Sequence, residues 1–193
     1  MSVNILEKLK KNLGIPDLKK VDPNTQDVKG GEHRLMQAVV PAAVAGIYDA
    51  ARSESGLNFL AGNSTSADWL TLLFGDNAPA VMRNLEAYTG NSSDSVRTHF
   101  NSTASEAVKI LRENATGADR KKSIQLITGA QRDWFLPYLP AELKIGTLLG
   151  DEVLDDRQNK MEGPVSSFMH KVEASFTGRE SKDSADKHRD SKM

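Results

Sequence analysis

The sequence predicts an all-α protein, a single-domain multi-helix bundle of about seven to nine short helices followed by a disordered charged tail. Three observations predict this fold class. Apolar residues recur at spacings of three and four along most of the chain, which is the period of an amphipathic helix. Sustained apolar–polar alternation and Asn-Gly or Asp-Gly hairpin turns between β-branched runs are missing, so strand signals are nearly absent. Glycines and prolines interrupt the periodic segments at intervals that suit short helices.

The N-terminal region, residues 1–31, combines an amphipathic helix with a connector. The helix is predicted over residues 2–13, and Gly14 ends it. One face of this helix carries four apolar residues, Ile5, Leu6, Leu9 and Leu13. The prolines and the Gly-Gly pair that follow predict a connector with at most one short helical turn.

The core domain is predicted over residues 32–177, and its first helix covers about 32–52. Small residues recur along the apolar stripe of that helix and allow a neighbouring helix to approach closely. Pro41 lies in the middle of the stripe. Because proline lacks a backbone N–H, it predicts a kink or a division of the helix at this point.

Two shorter helices follow. Ser66 or Asp68 is predicted to cap the first, which ends at Gly75. Asn77 is predicted to cap the second, which ends at Gly90.

The clearest helix begins after a cap at Ser92 or Ser93 and ends before Gly117. Its apolar stripe consists of Val96, Phe100, Ala104, Ala107, Val108 and Leu111. The opposite stripe is polar and is predicted to face water; it consists of Arg97, Asn101, Ser105, Lys109 and Arg112.

The rest of the core contains three further predicted helices, over residues 119–128, 140–149 and from Pro164 onward. An aromatic segment lies between the first two. Residues 178–193 contain almost no apolar side chains. Such a composition buries too little apolar surface to offset the entropy of ordering the chain, so this tail is predicted to be disordered.

Part of the sequence resembles the helical module of the YidB-like bacterial family. The resemblance rests on Leu73-Phe74-Gly75-Asp76-Asn77-Ala78, then Leu85, Thr89-Gly90 and Val96. It is best over Trp69 to about Asn114 and weaker over Glu32 to Ala61, where Val39-Val40-Pro41-Ala42 is similar to longer members. The family has no assigned function. The resemblance therefore implies an all-helical bacterial protein and supplies no catalytic residue.

The sequence predicts no catalytic, cofactor-binding or metal-binding residue. It has no cysteine, which excludes a disulfide framework, a thiolate zinc site and a cysteine nucleophile. It also lacks a nucleophile elbow, a Walker A loop and a dinucleotide-binding glycine turn. The histidines lack the spacing of metal ligands; they are His33, His99, His170 and His188.

The acidic stretch, residues 151–156, is the densest group of hard oxygen ligands and the alternative place for chemistry. The register of a calcium-binding EF-hand loop fails, because its third position is Val153. A solvated acidic loop is the preferred interpretation. The alternative is an enzyme or a small-ligand or metal binder that uses this stretch with Arg157 or His170.

A partner-binding surface is predicted at Arg132, Trp134 and Tyr138, because tryptophan, tyrosine and arginine dominate binding hot spots. The preferred interpretation of the segment is nevertheless a plug in the core at the junction of two helices. In that case Trp134 is buried and Tyr138 is partly exposed.

The preferred function is a non-enzymatic helical interaction or scaffold protein of a bacterial cell, which self-associates or docks into a larger assembly. A net charge of −1 with interspersed signs predicts no nucleic-acid partner. The sequence shows no signal peptide and no apolar run long enough to span a bilayer, so a cytoplasmic location is predicted. The remaining hypothesis is weak peripheral membrane contact through helix 2–13, whose apolar face lies opposite Lys8, Lys10 and Lys11.

Overall fold

The computed structural model describes residues 3–21, 31–63, 65–66, 68–151 and 154–155. This part of the chain forms α-helices and 3-10 turns without a β-strand, which confirms the predicted all-α fold. The helices are α1 (Ile5–Leu13), α2 (Gly31–Ala50), α3 (Glu54–Ala61), α4 (Trp69–Phe74), α5 (Ala78–Thr89), α6 (Ser93–Asn114), α7 (Arg120–Gly129), α8 (Arg132–Phe135) and α9 (Ile145–Leu149). The 3-10 turns are Gly75–Asn77, Leu136–Tyr138 and Ala141–Leu143. The predicted helix after Pro164 and the predicted tail over 178–193 lie outside the described residues.

Helix α2 lies at the centre of the fold. Every residue from 35 to 47 is buried, and α2 contacts each of the other eight α-helices of the described chain. Pro41 does not divide it, so the predicted division is wrong. An interior proline costs a helix about 3 kcal/mol, and here the packing of α2 on all sides outweighs that cost.

The small residues of α2 do permit a close helix crossing, as predicted. A Cβ atom placed on Gly46 would lie 3.0 Å from Cε2 of Phe74 and 3.2 Å from Cβ of Leu73. Both of those side chains belong to α4. A larger residue at position 46 would therefore push α4 away from α2, because a close-packed core has no space to absorb the added atoms.

Helix α6 packs along α2 and is the second long element of the core. Its predicted apolar stripe is buried at all six positions, Val96, Phe100, Ala104, Ala107, Val108 and Leu111. Ser92 caps the helix, since its hydroxyl accepts a hydrogen bond from the Ser95 amide. Gly90 ends the preceding helix, α5, with a φ of 70°, a left-handed conformation that favours glycine.

Helix α1 belongs to the same hydrophobic core as α2 and α6. Its residues Ile5, Leu6 and Leu9 are buried there, and Leu13 packs against the same cluster. The boundary predicted at residue 31 therefore does not separate α1 from the core, because the apolar face of α1 is buried against the other helices.

Two glutamines that the sequence analysis did not single out connect the N-terminal region to the core. Gln37 is fully buried; its side-chain oxygen accepts from the Lys19 amide, and its nitrogen donates to the carbonyls of Lys19 and Tyr138. Gln131 forms a similar set of bonds with the start of α1. Buried amides that bond in both directions fix the path of the chain because each has a specific partner.

The predicted caps of the two shorter helices differ in outcome. Asp68 caps α4, and its carboxylate accepts from the amide and the hydroxyl of Thr71. Asn77 makes no capping bond to α5; its side-chain nitrogen donates to the Leu148 carbonyl, 2.8 Å away. That prediction is wrong because a 3-10 turn leads directly into α5, so Asn77 has helical backbone angles.

We expect Asp68→Ala to lower the free energy of unfolding by about 1 kcal/mol, the usual value of an N-cap. Hydrogen bonds from Thr71, with the nearby charge of Arg97, hold the pKa of Asp68 below its ordinary value of 3.8. A carboxylate with a lowered pKa stabilises the fold above its unfolded pKa, and that contribution is lost as the pH falls through the folded pKa. The difference between wild type and Asp68→Ala should therefore shrink below about pH 4. Urea unfolding at neutral and acidic pH measures it, and an equal difference at both would contradict this account.

Candidate anion-binding site

The aromatic segment lies in α8 and in the 3-10 turn that follows it. Phe135 is fully buried and its ring lies 5.9 Å from that of Tyr48, whereas Trp134 and Tyr138 are half-buried. The predicted burial of Trp134 is wrong, and Phe135 is the core plug. Adjacent residues of a helix point about 100° apart, and in α8 it is the side chain of Phe135 that points into the core.

The three residues predicted to bind a partner lie on α8 and on the 3-10 turn that follows it. Arg132, Trp134 and Tyr138 are each half-buried. Arg132 and Trp134 stand two positions apart in α8, and residues with that spacing face different sides of a helix. Tyr138 packs against the core, and its carbonyl accepts a hydrogen bond from Gln37.

The described part of the acidic stretch stabilises the fold. The Asp155 carboxylate accepts hydrogen bonds from the amides of Gly146 and Thr147, and so caps the start of α9. Asp151 forms an ion pair with Arg52, with an N–O distance of 3.1 Å. These two carboxylates therefore have partners within the protein.

The described histidines lie in different helices. His33 belongs to α2, and His99 belongs to α6, where its Nδ1 lies 2.8 Å from the Ser95 carbonyl oxygen. His170 falls outside the described residues. Within the described chain, no three histidine, aspartate or glutamate side chains are grouped so that they could hold a metal ion.

The proposed membrane-contacting face of α1 is buried in the protein. Contact with a bilayer through Ile5, Leu6 and Leu9 would require α1 to leave the core. Over the described residues, no helix is both long enough and apolar enough to cross a bilayer.

A cavity of ≈370 Å³ lies between α4, α6 and α7, with Thr65 before α4 completing its lining. Its lining residues are Thr65, Trp69, Ser105, Lys109, Arg112, Glu113 and Arg120. We call it the basic cavity, because three of its side chains are cationic and one is anionic. Residues 105, 109 and 112 share one face of α6, since they stand four and three positions apart.

The polar stripe of α6 is therefore only partly in water, and this corrects the sequence-based prediction. Arg112 is half-buried beneath the end of α3, where its Nε donates to the Leu60 carbonyl and its Nη2 to the Phe59 carbonyl. The last carbonyls of a helix have no partner within the helix, so they accept an arginine readily. Asn101 likewise accepts a hydrogen bond from the Leu70 amide of α4.

Arg120, the first residue of α7, approaches the same helix end. Its guanidinium donates to the carbonyls of Ala61 and Arg112 at 3.2 and 3.3 Å. Burial lowers the pKa of Arg112, and the positive charge of Arg120 lowers it further. The fold thus holds two like charges close together, which costs electrostatic free energy that a bound anion would recover.

Trp69 forms one wall of the basic cavity. Its ring packs edge-on against Phe59, with 5.3 Å between the ring centres, and only 2% of the residue is exposed. The indole Nε1 is buried without a hydrogen-bond partner in the described protein. An indole N–H can only donate, so an acceptor oxygen is the group that it lacks.

Sequence reasoning missed the basic cavity. The available signal was the spacing of Lys109 and Arg112 on one face of α6, followed closely by Arg120 at the start of the next helix. The missing information was the end of α3, which lies more than fifty residues earlier in the chain and is brought to this face only by the tertiary fold.

Comparison of the chain with protein families, with curated proteins and with solved structures finds no match.

Proposed function

We propose that this chain is a non-enzymatic helical interaction protein that binds an acidic segment of a partner protein in the basic cavity. The observation that carries the proposal is the convergence of Lys109, Arg112 and Arg120 from two helices on one cavity. Complementary charge steers a partner toward its site and sets the register of binding. A cavity with a surplus of positive charge selects an anionic group.

The two arginines of the basic cavity are already oriented before any ligand binds. Arg112 and Arg120 are fixed by hydrogen bonds to the carbonyls at the end of α3. A side chain that is held by its own fold loses little conformational freedom when it contacts a ligand, and this favours affinity. Lys109 is held by fewer contacts than the two arginines: 61% of its side chain is exposed, and its ion pair with Glu106 is 3.4 Å long.

The use of the other ionisable groups supports a binding role over catalysis. Asp68 and Asp155 cap helices, and Asp151 is paired with Arg52. Each of these carboxylates thus has a structural role in the described fold. The cations of the basic cavity also contact the protein, but they surround a volume that is large enough for a ligand group.

We also propose a relation to the YidB-like bacterial helical family and a place in the bacterial cytoplasm. The residues that carry the resemblance, from Leu73 to Val96, span the end of α4, a 3-10 turn, α5 and the start of α6. The proposal rests on this resemblance in sequence. Alignment of further sequences from bacterial genomes would test it.

We expect Lys109→Glu to weaken capture of the partner by about tenfold, because it reverses a charge in the lining of the cavity. The bait carries its tag at the C-terminus, since α1 is part of the core. Proteins recovered by wild type from the native host are identified by mass spectrometry, and the purified partner is then titrated against each variant.

Lys121→Glu is the matched control. Lys121 lies beside Arg120 in α7, is exposed and does not line the cavity. Lys121→Glu changes the net charge of the protein by the same amount as Lys109→Glu. A partner that Lys121→Glu retains and Lys109→Glu loses supports the proposal. Equal binding by both variants, or recovery of the bait alone, would overturn it.

A further inference from the structure

The chemistry of the basic cavity is more specific than a general preference for negative charge. Three cations face one anion across its lining. Lys109 also pairs with Glu106, so the number of hydrogen-bond donors, more than the net charge, distinguishes the possible ligands. A phosphate monoester has three acceptor oxygens, one more than a carboxylate, so it can accept hydrogen bonds from more of the cavity's donors at once.

The donors of the cavity also suit a tetrahedral oxyanion. Arginine presents its N–H groups as a planar fork that fits phosphate oxygens, and Arg120 forms no ion pair with a carboxylate of the described chain. The hydroxyls of Thr65 and Ser105 line the same cavity. A hydroxyl can donate to a phosphate oxygen.

The indole of Trp69 supplies an independent observation. Buried polar groups in proteins nearly always have a hydrogen-bond partner, and an exception needs an explanation. The Nε1 of Trp69 is such an exception at the wall of a cationic cavity. An oxyanion that reaches this nitrogen from the cavity would provide the missing acceptor.

We propose that the basic cavity is a subsite for a phosphate monoester, held by Arg120, Lys109 and the indole N–H of Trp69. This inference rests on the proposed function and specifies the group that the partner presents. The same chemistry is available from a phosphorylated side chain and from a free phosphate compound. Titration with a phosphopeptide and with inorganic phosphate distinguishes these two sources.

The chain has only two tryptophans, Trp69 and Trp134, so its ¹H–¹⁵N spectrum should contain two indole signals. Trp134→Phe assigns them by removing one. The full chain is titrated with a blocked phosphoserine peptide, with inorganic phosphate, and with the same peptide carrying glutamate or serine. We expect the Trp69 signal to shift and saturate with both phosphate probes, while the Trp134 signal stays in place.

Lys109→Glu should weaken the phosphate titration by about tenfold, and Lys121→Glu should leave it unchanged. Tighter binding of the phosphopeptide than of inorganic phosphate would identify a phosphorylated side chain as the source. Tighter binding of inorganic phosphate would identify a free compound. Either result supports the phosphate subsite.

Two results would overturn the inference. One is a Trp69 signal that does not respond to either phosphate probe. The other is an equal response to the glutamate peptide, which would show recognition of carboxylates in general. Either result overturns the phosphate subsite alone. The proposed function is overturned as well only if Lys109→Glu leaves partner capture unchanged, so the failure of one proposal can be told from the failure of the other.

Discussion

We expect Phe135→Ala to lower the free energy of unfolding by about 3–5 kcal/mol, the usual cost of removing a fully buried phenylalanine. Phe135 is among the largest fully buried side chains of the described chain. It is held in the short helix α8 and contacts Tyr48 at the end of α2. The truncation removes this contact and leaves a cavity that the surrounding helices cannot fill, because α2 is packed on all sides.

Trp134→Ala is the matched control, since it removes the larger ring at the adjacent position. Trp134 is half-buried, so we expect a loss of only about 1 kcal/mol. Urea unfolding followed by circular dichroism measures both variants without relying on tryptophan emission. An equal or larger loss for Trp134→Ala would show that the tryptophan, and not the phenylalanine, is the core plug.

Features that depend on neighbouring residues were predictable from the sequence. The six apolar positions of α6 follow from their spacing, and the cap at Ser92 and the stop at Gly90 follow from local backbone chemistry. Each of these signals lies within one or two turns of the helix that it describes. The all-α fold class follows from the repetition of such signals.

Features that depend on distant residues were not predictable. Pro41 looks like a helix breaker until the burial of α2 on every side is known. Arg112 looks like a solvent-facing residue until the end of α3 is placed against it. The choice between Trp134 and Phe135 depends on the angle at which α8 meets Tyr48. In each case a tertiary contact overrides a local preference. The hydrophobic period and the composition of a sequence do not report such contacts.

The candidate site shows the same limit more strongly. Its cations were visible in the sequence, but the cavity is made by residues of three helices, α4, α6 and α7, together with Thr65. Sequence reasoning instead favoured the acidic stretch as the alternative site, because acidic residues close together in sequence resemble a ligand set. In the structure, Asp155 caps α9 and Asp151 pairs with Arg52.

No pattern in the sequence indicated that two glutamines are buried, and we expect one of them to have a large effect on stability. Gln131 is 1% exposed. Its side-chain oxygen accepts from the Ile5 amide at 2.9 Å, and its nitrogen donates to the carbonyls of Val3 and Ile127. Because Ile5 is the first residue of α1, its amide has no acceptor within the helix. Gln131 therefore holds the start of α1 in the core.

We expect Gln131→Leu to lower the free energy of unfolding by about 2–3 kcal/mol. Leucine has a similar size, so the loss comes mainly from a buried amide and carbonyl that keep no partner. Gln125→Leu, at an exposed position of α7, is the matched control and should change stability by about 0.5 kcal/mol or less. Hydrogen exchange adds a local measurement. In Gln131→Leu the amides of α1 should lose more protection than those of α5, because the start of α1 is no longer held. Uniform loss across the two helices, or a stability equal to that of Gln125→Leu, would show that the packing of Leu6 and Leu9 holds α1 without the glutamine.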